Sequence, residues 1–196
     1  MRRTGLLLAA VAAAALGAGN VSASSVLGLT LEDQTRLSRY VVVGIVTGQQ
    51  GIDHPENGLE TAVTLRVTNT LKGAVRPGSN LVFHTRSGEL NGESSVAIGE
   101  TVLRPGQRIL VFVEDIDGRL YNLGLSYGVF NALEDSRGRQ SFVRAIEDDL
   151  QIVDDAGVGP GPFTFEDIRT RVGWAERHPR FDNPTVEAVF GEGRQR

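Results

Sequence analysis

The sequence predicts a mainly β fold, a small antiparallel barrel with a flanking helix near each end of the domain. Three observations carry that prediction. Short β-branched and apolar runs recur unevenly between residues 40 and 144, with Pro-Gly and Asp-Gly pairs between them. No helical stretch of ten residues separates those runs, which argues against a parallel sheet with crossover helices. Gly44, Gly124 and Gly128 fall in the apolar runs, where a closing sheet must bend. A two-sheet sandwich is the rival arrangement.

The elements follow in order. Residues 29–39 read as a short helix, capped by Thr30 with Glu32 and Asp33 in its first turn, where exposed amides favour acid. YVVVGIVTG, residues 40–48, is apolar almost throughout, as expected of a strand covered on both faces for part of its length. Gly44 within it marks tight curvature or a close backbone approach. QQGIDHPENG, residues 49–58, reads as a loop. TAVTLRVTNTLKG, residues 61–73, alternates, with Val63, Leu65 and Val67 inward and Thr64, Arg66 and Thr68 on an outer wall. Strands are expected at Leu81–Arg86, Arg108–Val113 and Leu120–Leu125. A hairpin joins Gly128–Leu133 to Gln140–Arg144 through D-S-R-G. Residues 87–103 have no clear period.

The domain reading has five parts. Residues 1–23 form a secretory leader: Arg2 and Arg3, an apolar run from Gly5 to Gly17, and small residues at Val21-Ser22-Ala23. Cleavage near Ala23 is expected to release a secreted or periplasmic protein that begins at Ser24. Residues 24–153 are the barrel with its N-terminal helix, and residues 154–163 a Gly/Pro linker. Residues 164–177 form a helix capped by Thr164 that docks on the barrel through Ile168, Val172 and Ala175. Residues 178–196 are expected to be a loosely ordered tail. Without Arg2 and Arg3 the balance is 18 basic to 24 acidic side chains, near −6, which argues against nucleic acid or an anionic membrane as partner. No second apolar run follows the leader, so no transmembrane segment is expected in the mature chain. Cysteine is absent, so packing alone must hold an exported form together.

LTLEDQTRLSRYVVVGIVTG, TAVTLRVTNTLKG and LRPGQRILVFVEDIDGRLYNLGLSYGVFNAL, together with SGELNG at 87–92, resemble in order a family of exported bacterial proteins with a netrin-like barrel. That barrel is the oligonucleotide/oligosaccharide-binding (OB) fold also used by tissue inhibitors of metalloproteinases. The resemblance spans about residues 29–133 and implies an OB-like barrel more than it implies a function. The inhibitors chelate a protease zinc through an N-terminal cysteine. This chain has none, so it does not inhibit by that route.

The chemistry is sparse. His54 lies beside Asp53 and Glu56, a weak binding candidate whose alternative is a solvated loop histidine. His84 is out of phase with Leu81 and Phe83 and is expected to face water or a loop. Ser87, Ser94 and Ser95 follow it, but no G-x-S-x-G frames them. The acids at 147–149 and 154–155 match no calcium loop, and no metal or cofactor pattern appears. Tyr121 and Tyr127 either face a ligand or cap the core edge. Trp174 is expected half-buried where the helix meets the barrel, and Arg66 is a candidate partner for Glu114. The function expected is a non-catalytic exported module that binds a protein or a cell-surface glycan, through residues 49–58 and 86–95 rather than the threonine wall. An envelope-directed hydrolase using His84 with a nearby serine is the alternative.

Overall fold

Two long strands, β2 (Tyr40–His54) and β3 (Gly58–Lys72), dominate the computed structural model, which describes residues 24–153, 159, 161–181 and 183–190. The leader at 1–23 and most of the linker at 154–163 lie outside the described residues. The other strands are β1 (Ser24–Leu27), β4 (Asn80–Thr85), β5 (Gly88–Leu90), β6 (Glu93–Ser95), β7 (Arg108–Ile116) and β8 (Arg119–Asn122). After them come β9 (Val129–Glu134), β10 (Gln140–Arg144), β11 (Leu150–Val153) and β12 (Phe163–Thr164). The helices are α1 (Leu31–Leu37), α2 (Phe165–Arg177) and α3 (Pro184–Phe190).

The sheet closes on itself. β7, β2, β3, β4 and β8 are neighbours in that order, and β8 pairs back onto β7. Numbered within the ring, the strands run 1-2-3-5-4-1, with one parallel contact where His84 of β4 faces Tyr121 of β8. This is the strand order of an OB barrel. β9, β10 and β12 extend the sheet from β7 outside the ring, and β1 pairs in parallel with β11.

Closure explains the sequence pattern. Val42, Val46, Val63, Leu65, Val67, Phe83, Ile109, Val111 and Val113 fill the interior of the ring. Val41, Val43, Leu110 and Phe112 point the other way, into a second core with Tyr127, Phe130, Phe142 and the helix residues Leu31, Ile168, Val172 and Val186. β2 and β7 are thus covered on both faces and read as continuous apolar runs. β3 keeps one wet face and alternates, with Arg66 exposed. Each fully buried Val, Leu or Phe contributes roughly 1.5–3 kcal/mol. The register of β2 on β3 shifts at Val43/Gly44, and a Cβ on Gly44 would lie 2.6 Å from the Arg66 carbonyl oxygen. Gly44 is therefore the close approach its position suggested. Gly124 and Gly128 instead bracket a 3-10 turn at Leu125–Gly128.

Thr30 caps α1 by accepting from the Asp33 amide at 3.0 Å, and Thr164 forms a reciprocal capping box with Asp167 on α2. Arg171 of α2 donates to Glu32 of α1 at 2.6 Å, and Arg36 to the His178 carbonyl at 2.8 Å. These contacts seat the two helices together on the outer core. No helix among the described residues is long and apolar enough to cross a membrane.

The structure differs from the sequence reading in four places. Residues 49–58 are not a loop: β2 runs to His54 and β3 resumes at Gly58, leaving only 55–57 as the turn of a long hairpin arm. The arm projects past the ring and exposes polar residues on much of its surface, so composition alone read it as loop. Residues 87–103 include the hairpin β5–β6. The tail contains α3, held by fully buried Val186, a single anchor too sparse to produce a helical period. Trp174 is 40% exposed, stacked on His178 with the Arg36 guanidinium 5.2 Å away, so it caps the helix pair rather than the barrel seam.

Candidate functional site

Glu60 is the centre of the site, and sequence reasoning passed over it. It shares the outward parity of Thr64 and Arg66, which should wet it, yet its side chain is fully buried. β5 lies across this part of the arm, and Tyr121 of β8 closes it from the side. Glu60 Oε1 accepts from the Tyr121 hydroxyl and from Asn57 Nδ2, both at 2.9 Å, and Oε2 lies 2.8 Å from Arg119 Nη2. Burial pushes the Glu60 carboxyl up, but the Asn57 and Tyr121 hydrogen bonds and the Arg119 charge outweigh it, leaving the pKa below its ordinary value. Burial and the bond to Glu60 raise that of Tyr121.

The close approach of β5 depends on Gly88. A Cβ there would sit 2.6 Å from the Glu60 carbonyl carbon and 2.7 Å from its nitrogen. A buried carboxylate also holds the segment on either side of β6. Glu100 accepts from the backbone amides of Arg86 at 3.0 Å and Thr101 at 3.2 Å, and from Asn122 Nδ2 at 2.7 Å. Burial raises its pKa against these three bonds.

Around Glu60 opens a cleft of about 590 Å³. Its walls are His54, Glu56 and Asn57 from the β2–β3 turn, Ile116–Arg119 from the β7–β8 turn, and Arg86 with Tyr121 between them. The Arg86 guanidinium lies 4.9 Å from the Tyr121 ring centre and that of Arg119 lies 6.0 Å away, so one aromatic ring gathers both cations. Arg86 comes no nearer than 3.8 Å to Glu114, too far for a hydrogen bond. Glu114, the sequence-level partner for Arg66, thus faces Arg86 instead. Burial raises the pKa of Glu114, with Arg86 opposing. Asp117 and Gly118 form the turn the sequence suggested, the Gly118 amide donating to Asp115 Oδ1 at 2.7 Å.

The histidines hold defined tautomers. His54 Nδ1 accepts from the Glu56 and Asn57 amides at 3.3 and 3.2 Å, which leaves Nε2–H as the donor at the cleft wall. His84 Nδ1 lies 3.0 Å from the Leu120 carbonyl and must donate, leaving its Nε2 lone pair. Burial lowers the His84 pKa, with the Arg119 charge helping and the Leu120 bond opposing. His84 is half-buried against Tyr121, ring centres 5.8 Å apart, rather than in open water.

Of the sequence candidates, His54, Glu56 and Tyr121 come together, and His84 lies behind Tyr121. Asp53 is exposed on the arm outside the cleft. Tyr127 is not at the site. It is 1% exposed in the outer core, and its hydroxyl donates to the Leu29 carbonyl and accepts from the Leu29 amide, both at 3.1 Å. Tyr127→Phe should therefore cost about 1–3 kcal/mol in denaturant unfolding and leave ligand binding unchanged. Lost binding without lost stability would return Tyr127 to the site.

Among the described residues no three His, Asp or Glu side chains converge as a cation site. Nor does a hydrogen bond join His84 to Ser87, Ser94 or Ser95. Ser87 Oγ instead accepts from the Ala97 amide at 2.9 Å. No family model, curated protein or solved structure matches this chain. The site must be read from its own geometry.

Proposed function

We propose that this protein is an exported, non-catalytic barrel module that binds a protein or a cell-surface glycan in the cleft around Tyr121. One observation carries the reading: the cleft lies between the turn joining the first two ring strands and the turn joining the last two. Barrels of this strand order hold oligosaccharides and oligonucleotides at that place. The acidic balance disfavours the nucleic-acid option. The lining supports binding over turnover, because its donors and acceptors face a cavity of ligand size without a hydrogen-bonded nucleophile and base. Export rests on the leader at 1–23.

The test is capture from an envelope fraction, alongside a glycan array, by the wild type, Arg86→Ala and the Thr64→Ala/Arg66→Ala wall variant. The expected result is capture lost with Arg86→Ala and kept by the wall variant, from a protein whose intact mass begins near Ser24. Capture lost only in the wall variant would move the working surface to the strand face. A hydrolytic activity abolished by His84→Ala would replace the binding reading with the hydrolase.

A further inference from the structure

We infer that the cleft selects a saccharide bearing a carboxylate, held through Arg86 and Arg119 with the sugar hydroxyls met by the rim; this rests on the cleft being the binding site. The argument begins with unused donors. Arg119 Nη2 lies 2.8 Å from Glu60 Oε2 as an ion pair, and no hydrogen bond within the described residues engages Nη1 or the buried Nε of Arg119. Among the described residues the Arg86 side chain makes no hydrogen bond and has only the distant Glu114 and the face of Tyr121. His54 contributes Nε2–H. Glu60 faces Arg119 and Glu114 stands 3.8 Å from Arg86, so what the floor offers is unengaged guanidinium N–H groups in a half-enclosed space, where a planar carboxylate can take paired donors.

The rim has the opposite character. Glu56 and Asp117 are exposed carboxylates at the cleft edge. They would repel a ligand made only of acceptors, such as a run of acidic peptide side chains. Sugar hydroxyls, by contrast, donate to carboxylates readily. Among the described residues Ile116 is the one aliphatic side chain lining the cleft, so there is little to receive the apolar residues of a protein partner. A floor of guanidinium donors under an acidic rim fits a ligand that carries a carboxylate among many hydroxyls, and about 590 Å³ suits one or two sugar rings.

The experiment is calorimetric titration of the purified chain with digalacturonate, its methyl ester and diglutamate, at low and moderate salt. The ester keeps every hydroxyl and masks the charge. Digalacturonate should bind about tenfold or more tightly than either, weaken with salt, and lose that advantage in Arg86→Gln. Arg86→Gln retains the Glu100 bond, which is made by the backbone, and an unchanged melting temperature verifies its fold. Equal binding of acid and ester, both weakened by Asn57→Ala, overturns the carboxylate inference and keeps the cleft. Diglutamate binding as tightly as the sugar overturns it in favour of an acidic protein partner. Binding indifferent to both substitutions overturns the cleft reading as well, and binding by none of the three probes overturns the inference.

Discussion

Replacing Glu60 by alanine should lower stability by about 2–3 kcal/mol, the largest expected loss for any polar side chain near the cleft. The substitution leaves the Arg119 guanidinium without its counter-ion and the Tyr121 hydroxyl and Asn57 amide without their shared acceptor. Breaking a buried ion pair by removing one member costs about 3–5 kcal/mol. Here the Arg119 side chain keeps 29% of its exposure, so water takes up part of the loss and the figure falls. Glu60→Gln preserves the shape and an acceptor for Tyr121, and should cost less than alanine.

The effect should depend on pH with a fixed sign. The folded-state pKa of Glu60 lies below its ordinary value of 4.5, so the native state binds the proton less readily than the unfolded chain. The ionic contribution is complete above that ordinary value and is lost as pH falls through the folded pKa. Denaturant unfolding of wild type and Glu60→Ala at neutral pH and near pH 3 measures this directly. The gap between them should narrow in acid. A gap that is negligible at neutral pH, or that widens in acid, would show that Glu60 does not hold the cleft as an anion.

Gly88→Ala should cost about 1–3 kcal/mol and loosen the β5–β6 hairpin from the arm. The reason is contact rather than backbone conformation. The added methyl meets the backbone of Glu60, which belongs to a paired strand and cannot swing away as a side-chain tip could. Relief must come from lifting β5, which would admit water to Glu60 and disturb the cleft floor. Thermal unfolding and amide exchange of residues 88–95 would report both consequences. Gly159→Ala is the control, since no atom of the described residues lies within 4 Å of the added carbon, and it should be close to neutral. Equal effects at the two positions would rule out the close approach at Gly88.

Much of the architecture was legible in the sequence. The helix caps at Thr30 and Thr164 are local patterns, satisfied by hydrogen bonds within three residues, so they read directly. Inward Val63, Leu65 and Val67 read from strand alternation, and the two-sided burial of residues 41–43 from an unbroken apolar run. His54, Glu56 and Tyr121 were named as candidates because of their chemistry, although nothing local tied them together.

What escaped was set by distant chain segments. Glu60 has the parity of a wet wall and is buried only because β5 and Tyr121, far along the chain, come to rest on it. Arg86 and Arg119 look like surface charge until the Tyr121 ring gathers them into one cleft. Tyr127 looked equally able to face a ligand or cap a core edge, and its hydrogen bonds to Leu29 place it in the core. The sequence by itself determined strand alternation, helix caps and the acidic balance, because each is a property of neighbours or of composition. Only the tertiary structure decided which polar residues lose water and which charges meet, because burial and charge pairing are set by whatever part of the chain arrives opposite.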